Sequence, residues 1–208
     1  MSVVLHDYWR SSASYRVRIA LNLKGVAFQR HDISLIDNEQ RTAEHLARNP
    51  QGFVPTLEID GHTLTQSLAI IDYLDATRKD PPLVPGDPAA RAQVLAQTLV
   101  IAADIHPINN LRILRYLKNE MGQEQAAIDD WYRHWMREGF VALEKMAGDG
   151  TCLGGDAPNL ADVCLVPQMY NARRLELPLD DFPKLVRMDA AAGALPAFAA
   201  AHPDAVKP

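Results

Sequence analysis

Strand and helix signals alternate over the first eighty residues of this 208-residue chain, and after Pro88 the strand signals vanish. A chain patterned this way folds as α/β followed by all-α. Val3 to Tyr8 reads as a strand, Ser12 to Lys24 as a helix, Ala27 to Ile33 as a second strand and Arg41 to Arg48 as a short helix. Thr56 to Ile59 and His62 to Thr65 flank Asp60-Gly61, a strong hairpin turn signal. Ser67 then caps a helix over Leu68 to Thr77. The order βαβ-α-ββ-α gives a mixed sheet. Pro81-Pro82 and Pro85-Gly86-Asp87-Pro88 interrupt it as a linker. The expected organisation is a first domain over 1–80, a linker over 81–88 and an all-helical domain over 89–208. Within the latter, a long helical stretch from Ala89 to about Met121 is disturbed at His106-Pro107, where proline removes a helical donor. Gln123 to Ala147 forms an amphipathic helix, and 149–158 a loop. Asn159 opens another helix with Asp162 three residues on, in the manner of a capping box.

Composition narrows the function classes. The chain is 48% apolar and 23% charged, ordinary for a soluble globular protein with a substantial core. A formal net charge of -5 argues against nucleic acid as the main partner. Two cysteines, Cys152 and Cys164, make no disulfide framework and no C-x-x-C, so a reducing cytoplasm is expected. No signal peptide is read ahead of the first strand, and no apolar run is long enough to cross a bilayer. The histidines and cysteines lack metal-ligand spacing, so no metal is expected.

Three segments carry chemistry. In Arg10-Ser-Ser-Ala-Ser-Tyr-Arg-Val-Arg-Ile-Ala-Leu21, serines crowd a strand-to-helix turn. The apolar positions Ala13, Val17, Ala20 and Leu21 set the helix face, and Gly25 stops it as a C′ residue. Free backbone N–H groups and the helix dipole favour a negative charge at such a turn, and a hydroxyl there can donate to a bound anion. Plain helix capping is the other reading of the same serines. Val54-Pro55-Thr56 enters a strand. A trans proline on an edge is the common case, whereas a cis proline would turn Val54 toward a ligand, its N–H and C=O pairing with a peptide as an added strand. Gln66-Ser67 opens a helix, either as a cap or as a carboxylate site. Other features read as structural: Trp131 and Trp135 as a core helix face, Asn159 and Asp162 as a folding cap, and Cys164 as a buried apolar residue. Cys152, in a Gly-rich loop, reads as exposed, with nothing nearby to activate it.

Taken in order, these pieces resemble the glutathione transferase superfamily, and more closely its zeta class. The resemblance rests on Ser11 to Leu21, Asn49-Pro50 with Val54-Pro55-Thr56-Leu57, and Gln66-Ser67-Leu-Ala-Ile-Ile-Asp-Tyr-Leu74. It extends to Ile105-His-Pro-Ile-Asn-Asn110, Asn159 to Gln168 and Asn171-Ala-Arg-Arg174. It implies a thioredoxin-like N-terminal domain, a helical C-terminal domain, glutathione as cosubstrate and a homodimer. Ser11 would hydrogen-bond the glutathione sulfur, with Ser12 and Ala13 beside it. Val54, with Pro55, would pair with the cysteinyl backbone, Gln66 and Ser67 would hold the γ-glutamyl carboxylate, and Gln40 would reach the glycine end. His106 and Asn110 would approach glutathione from the helical domain. The zeta pattern usually has Cys where this chain has Ala13, which tells against chemistry through a protein thiol and leaves chemistry through the glutathione thiolate intact.

The physics supports such roles. A free thiol with a pKa of about 8.5 is mostly protonated at neutral pH. A hydrogen bond to its charged form contributes roughly 1.5–3 kcal/mol and a helix N-terminus roughly 0.3–1 kcal/mol, which together lower the pKa by roughly 1–3. Arginines near a reactive sulfur suit a substrate with carboxylates, and Arg10, Arg112 and Arg174 are the candidates, with Arg173 able to exchange roles with Arg174. The implied activity is cis–trans isomerisation of a maleyl-type keto diacid, maleylacetoacetate or maleylpyruvate, in aromatic catabolism. It would proceed by thiolate addition, bond rotation and elimination. The alternatives are a zeta-like transferase acting on α-halo acids and a non-catalytic dimeric glutathione-binding protein.

Overall fold

A computed structural model describes residues 2–208. The chain divides into two compact units, one of residues 2–82 with 194–208 and one of residues 83–193.

The first unit holds a four-stranded mixed sheet in the order β2-β1-β3-β4. Its strands are β1 (Val4–Asp7), β2 (Gln29–Asp32), β3 (Thr56–Ile59) and β4 (His62–Thr65), the first two shorter than the sequence pattern suggests. β1 runs parallel to β2 and antiparallel to β3, with Leu5 opposite Arg30 and Leu57. Asp60 and Gly61 close the β3–β4 hairpin with φ of 53° and 83°, the left-handed pair that a two-residue turn requires. The helices are α1 (Ser12–Leu23), α2 (Ala43–Arg48) and α3 (Ser67–Thr77). Leu5, Val17, Leu21, Leu57, Ile70 and Leu74 are fully buried where α1 and α3 pack together and onto the sheet; each such side chain contributes about 1.5–3 kcal/mol. α1 ends in a Schellman motif. Val26 N–H donates to Leu21 C=O and Gly25 N–H to Asn22 C=O, with Gly25 at φ 62°.

The C-terminal residues 194–208, including α10 (Pro196–Ala199) and α11 (Pro203–Val206), group with this first unit rather than with the helices of 89–193. The physical reason is a set of side chain to carbonyl bonds. Arg18 Nε donates to Ala201 C=O, Asn22 to Ala197 C=O and Arg30 to Val206 C=O. Arg18 and Arg30 also both bond Asp7, which is fully buried.

The second unit is helical: α4 (Pro88–Leu99), α5 (His106–Ile108), α6 (Leu111–Asn119), α7 (Gln125–Met146), α8 (Leu160–Arg174) and α9 (Pro183–Gly193). α8 is buried at nearly every position and packs against α4 and α9, as a centrally placed helix must. Asn159 and Asp162 form the expected capping box, and the Asp162 carboxylate accepts from the N–H groups of Leu153, Gly154 and Asn159. The disturbance in the long helical stretch begins before Pro107: Val100–Ile105 winds as a wider π-helix, and Asn110 caps the separate helix α6. Cys152 is buried rather than exposed, and its backbone pairs with that of Gly155. Trp131 and Trp135 are half-buried rather than core, their rings edge-on to each other.

Candidate functional site

The first unit holds most of the candidate residues, and a chain of contacts within it links Gln40, Gln66 and Ser67. Ser11 is the N-cap of α1, in extended backbone, and its Oγ accepts the Ser14 N–H at 3.2 Å. No other hydrogen bond involves that hydroxyl among the described residues, so its proton is available to donate. Ser12 and Ser14 are buried beside it, and Ala13 is half-buried. Neither α1 nor α3 carries an acidic residue in its first turn, so both N-termini keep an uncompensated positive end.

Ser67 is the first residue of α3 and not its cap; Gln66 takes the cap position with φ 67° and ψ 118°, a conformation uncommon outside glycine. Residues held in such sparsely populated backbone regions cluster at functional sites. Ser67 is buried, its N–H lies among the orphan donors of the first turn, and its Oγ receives a hydrogen bond from Arg16 Nη1 at 3.5 Å. Gln66 Nε2 donates to Gln51 Oε1 at 2.6 Å, tying this end to the 49–53 loop.

That loop presents Val54. Ladder pairing of β3 begins at Thr56, leaving Val54 outside it, and the Val54–Pro55 peptide is cis. His45 Nε2 and Asn49 Nδ2 both contact the Phe53 carbonyl, at 2.8 and 2.9 Å, and fix the chain just ahead of Val54. Gly52, at φ 64°, allows the loop to close on Gln40, since a Cβ there would lie 2.9 Å from the Gln40 carbonyl oxygen. Gln40 is buried with its Oε1 unpartnered. Contacts thus run from Gln40 through Gly52, Gln51 and Gln66 to Ser67 and Arg16. His45, Asn49, Gln51 and Arg16 are members that sequence reasoning did not single out for chemistry.

Arg10 is exposed, with its guanidinium carbon 5.4 Å from the Trp9 ring centroid, and Lys207 Nζ lies 5.3 Å from the same centroid.

In the second unit, His106 starts α5 and is half-buried. Asn110 caps α6 by accepting the Arg112 N–H at 3.1 Å. Arg112 is exposed in the first turn of α6. Arg173 and Arg174 are both exposed at the end of α8, but Arg173 is committed to Asp189 at 2.6 Å, whereas Arg174 has no partner among the described residues. Among the described residues, no group of three or more His, Cys, Asp or Glu side chains could hold a metal, and no helix is long and apolar enough to cross a membrane.

Comparison with known proteins matches residues 1–76 to the glutathione S-transferase N-terminal domain. The maleylacetoacetate isomerase of Rhizobium meliloti is 49% identical, over 99% of this chain and 98% of its own. Among solved structures, the holo form of a maleylpyruvate isomerase, described as a bacterial zeta-class glutathione S-transferase, has a TM-score of 0.96 and 41% identity, covering 98% of each chain. Maleylacetoacetate isomerase from Anaeromyxobacter dehalogenans, solved with bound dicarboxyethyl glutathione and citrate in the active site, has a TM-score of 0.88 and 41% identity, covering 99% of this chain and 96% of its own. The chain belongs to the glutathione S-transferase family, in the group of the maleylacetoacetate and maleylpyruvate isomerases.

Proposed function

We propose that the chain is a glutathione-dependent cis–trans isomerase of a maleyl-type keto diacid, maleylacetoacetate or maleylpyruvate. The observation that carries this reading is the Ser11 hydroxyl. Its oxygen is held by the Ser14 N–H, its proton is unclaimed, and it sits at a helix N-terminus with no acidic residue in the first turn. That arrangement is a donor poised for a thiolate.

The residues present fit glutathione. Two uncompensated helix N-termini suit its anionic groups, the unpartnered Gln40 Oε1 can accept from an N–H, and Val54 lies at the end of the ladder where an extended peptide can pair. Bound glutathione supplies a thiolate that adds to the cis alkene and is expelled once the bond has rotated. Ser11 donates to the sulfur, with Ser12 beside it. Val54 holds the cysteinyl backbone, Gln66 and Ser67 the γ-glutamyl carboxylate, and Gln40 the glycine end. His106 and Asn110 are further glutathione-binding residues. Arg10, Arg112 and Arg174 bind and orient the substrate carboxylates, with Arg174 in this role because Arg173 is spent on Asp189. Isomerisation needs no protein thiol at position 13, where this chain has alanine; that alanine disfavours only chemistry through a mixed disulfide with such a thiol, such as reductive dehalogenation. The dicarboxyethyl glutathione bound by the Anaeromyxobacter dehalogenans relative joins a glutathione sulfur to a diacid, the union this chemistry calls for. The reading includes a homodimer in the cytoplasm, where two buried thiols, Cys152 and Cys164, are at home.

The test is to incubate the purified protein with maleylacetoacetate and with maleylpyruvate, with and without glutathione, and follow the trans product by proton NMR. Isomerisation of at least one diacid only when glutathione is present is expected. Failure on both overturns the proposal.

A further inference from the structure

The C-terminal segment is steered toward the serine turn by bonds that do not depend on its own side chains. Asn22 holds the Ala197 carbonyl, Arg18 that of Ala201 and Arg30 that of Val206. The His202 ring adds an edge-on contact with Tyr15. Arg18 and Arg30 are themselves fixed by the buried carboxylate of Asp7. The last of these grips falls on the carbonyl that immediately precedes the Lys207 nitrogen, so the backbone of Lys207 hangs on an anchored ion pair. Its side chain is exposed and carries Nζ to 5.3 Å from the centroid of the Trp9 ring.

Arg10 reaches the same ring, its guanidinium carbon 5.4 Å from the centroid. The two cations therefore lie within roughly one Debye length of each other. Among the described residues no carboxylate pairs with either. The acids that end β1 and β2, Asp7 and Asp32, are engaged by Arg18 and Arg30. In a chain with 26 acidic and 21 basic residues, two neighbouring cations without an acid stand out. Contact with an exposed aromatic ring contributes only about 0.5–1 kcal/mol per cation, and two like charges on one ring offset part of it. What results is a local positive field beside Ser11, suited to a small dianion.

We infer that Lys207 is a substrate-binding residue: its ammonium joins the Arg10 guanidinium in holding one carboxylate of the diacid, with Trp9 as the shelf that aims both. Its role rests on the diacid proposed above being the substrate. Arg10 supplies a bidentate fork and Lys207 a point charge. The held carboxylate takes no part in bond making, so this contact is the same before and during rotation of the double bond. Its energy therefore belongs to uniform binding and is read in KM. The C-terminal segment, nearly two hundred residues from Ser11 in sequence, thus tunes selection for charge on the substrate.

Steady-state kinetics on the diacid that the protein isomerises, at saturating glutathione, test it. Lys207→Gln should lower kcat/KM about two- to fivefold, the range of a solvent-exposed charge pair, and mostly through KM. Lys207→Arg should restore it. Added salt should raise the KM of the unaltered protein more than that of Lys207→Gln. Melting temperature and glutathione Kd should stay the same in both variants, because the grips on the segment fall on carbonyls that the substitutions leave in place. A KM unmoved in Lys207→Gln overturns the inference, as does a loss that arginine fails to restore or that tracks a lowered melting temperature. A weakened glutathione Kd assigns the lysine to the cosubstrate instead, and overturns it too. An unaltered protein that turns over neither diacid refutes the isomerase reading itself, and the role of Lys207 with it.

Discussion

Replacing Ser11 with alanine separates the capping its hydroxyl performs from the sulfur-binding role proposed for it. As the N-cap of α1 it accepts one backbone N–H, at the long distance of 3.2 Å, so the stability loss should be about 1 kcal/mol. As the proposed donor to the glutathione sulfur it would stabilise the charged form by about 1.5–3 kcal/mol, and its removal should raise the bound thiol's pKa by about 1–2. The thiolate fraction at neutral pH should then fall about tenfold, and kcat with it. Glutathione affinity should change far less, because the carboxylate sites proposed at Gln66 and Ser67 are untouched. Ser11→Gly is the control, since glycine keeps most of the capping stability and equally lacks the hydroxyl. The assay is the ultraviolet absorbance of the thiolate in the glutathione complex, titrated against pH. Both variants should move the midpoint upward together, although only the alanine one loses appreciable stability. A midpoint unmoved in both variants refutes the role of Ser11 as the sulfur's donor.

Arg174→Met should cost about 1.5–3 kcal/mol in kcat/KM for the diacid and leave the glutathione Kd unchanged. Arg173→Met, which breaks a half-exposed ion pair with Asp189, should leave kinetics intact and shift unfolding free energy by no more than about 1 kcal/mol. Asp7→Ala strips a buried counter-charge from Arg18 and should destabilise the protein by about 3–5 kcal/mol in chemical denaturation. His6 is buried in contact with Glu58, and burial lowers its pKa, with Glu58 only partly offsetting that. The unfolded chain therefore binds the proton more readily, so stability should be lost as pH falls through about 6.5 toward the folded value, and urea midpoints should show a smaller acid loss in His6→Gln.

The features legible in the sequence are those that punctuate the chain. Asp60-Gly61 supplies two left-handed residues, and the strands on either side of it begin and end where the pattern places them. The serine turn, Val54-Pro55 and Gln66-Ser67 stand at element boundaries, where backbone donors are unsatisfied and side chains have recognisable work. Other features were hidden for physical reasons. Arg16 and Arg18 are identical in type and adjacent in pattern; only tertiary packing gives Asp7 to one and withholds a counter-charge from the other. Residues 194–208 join the first unit through main-chain carbonyls, which any sequence provides. The π-winding over Val100–Ile105 lies in the turn ahead of Pro107, which announces a disturbance there but not its wider form. Ser67 carries a strong cap signal, yet Gln66 holds the cap because the chain enters α3 with positive φ. Phe53 is gripped through its carbonyl by His45 and Asn49, a role that spacing alone does not reveal.

The central claim is that glutathione is used and returned. Counting free thiol during turnover of the diacid that the protein isomerises measures this directly. The thiol concentration should stay constant while many equivalents of cis substrate become trans product. Loss of one thiol per substrate consumed, with a stable thioether as the product, would contradict isomerisation and make the protein a conjugating transferase.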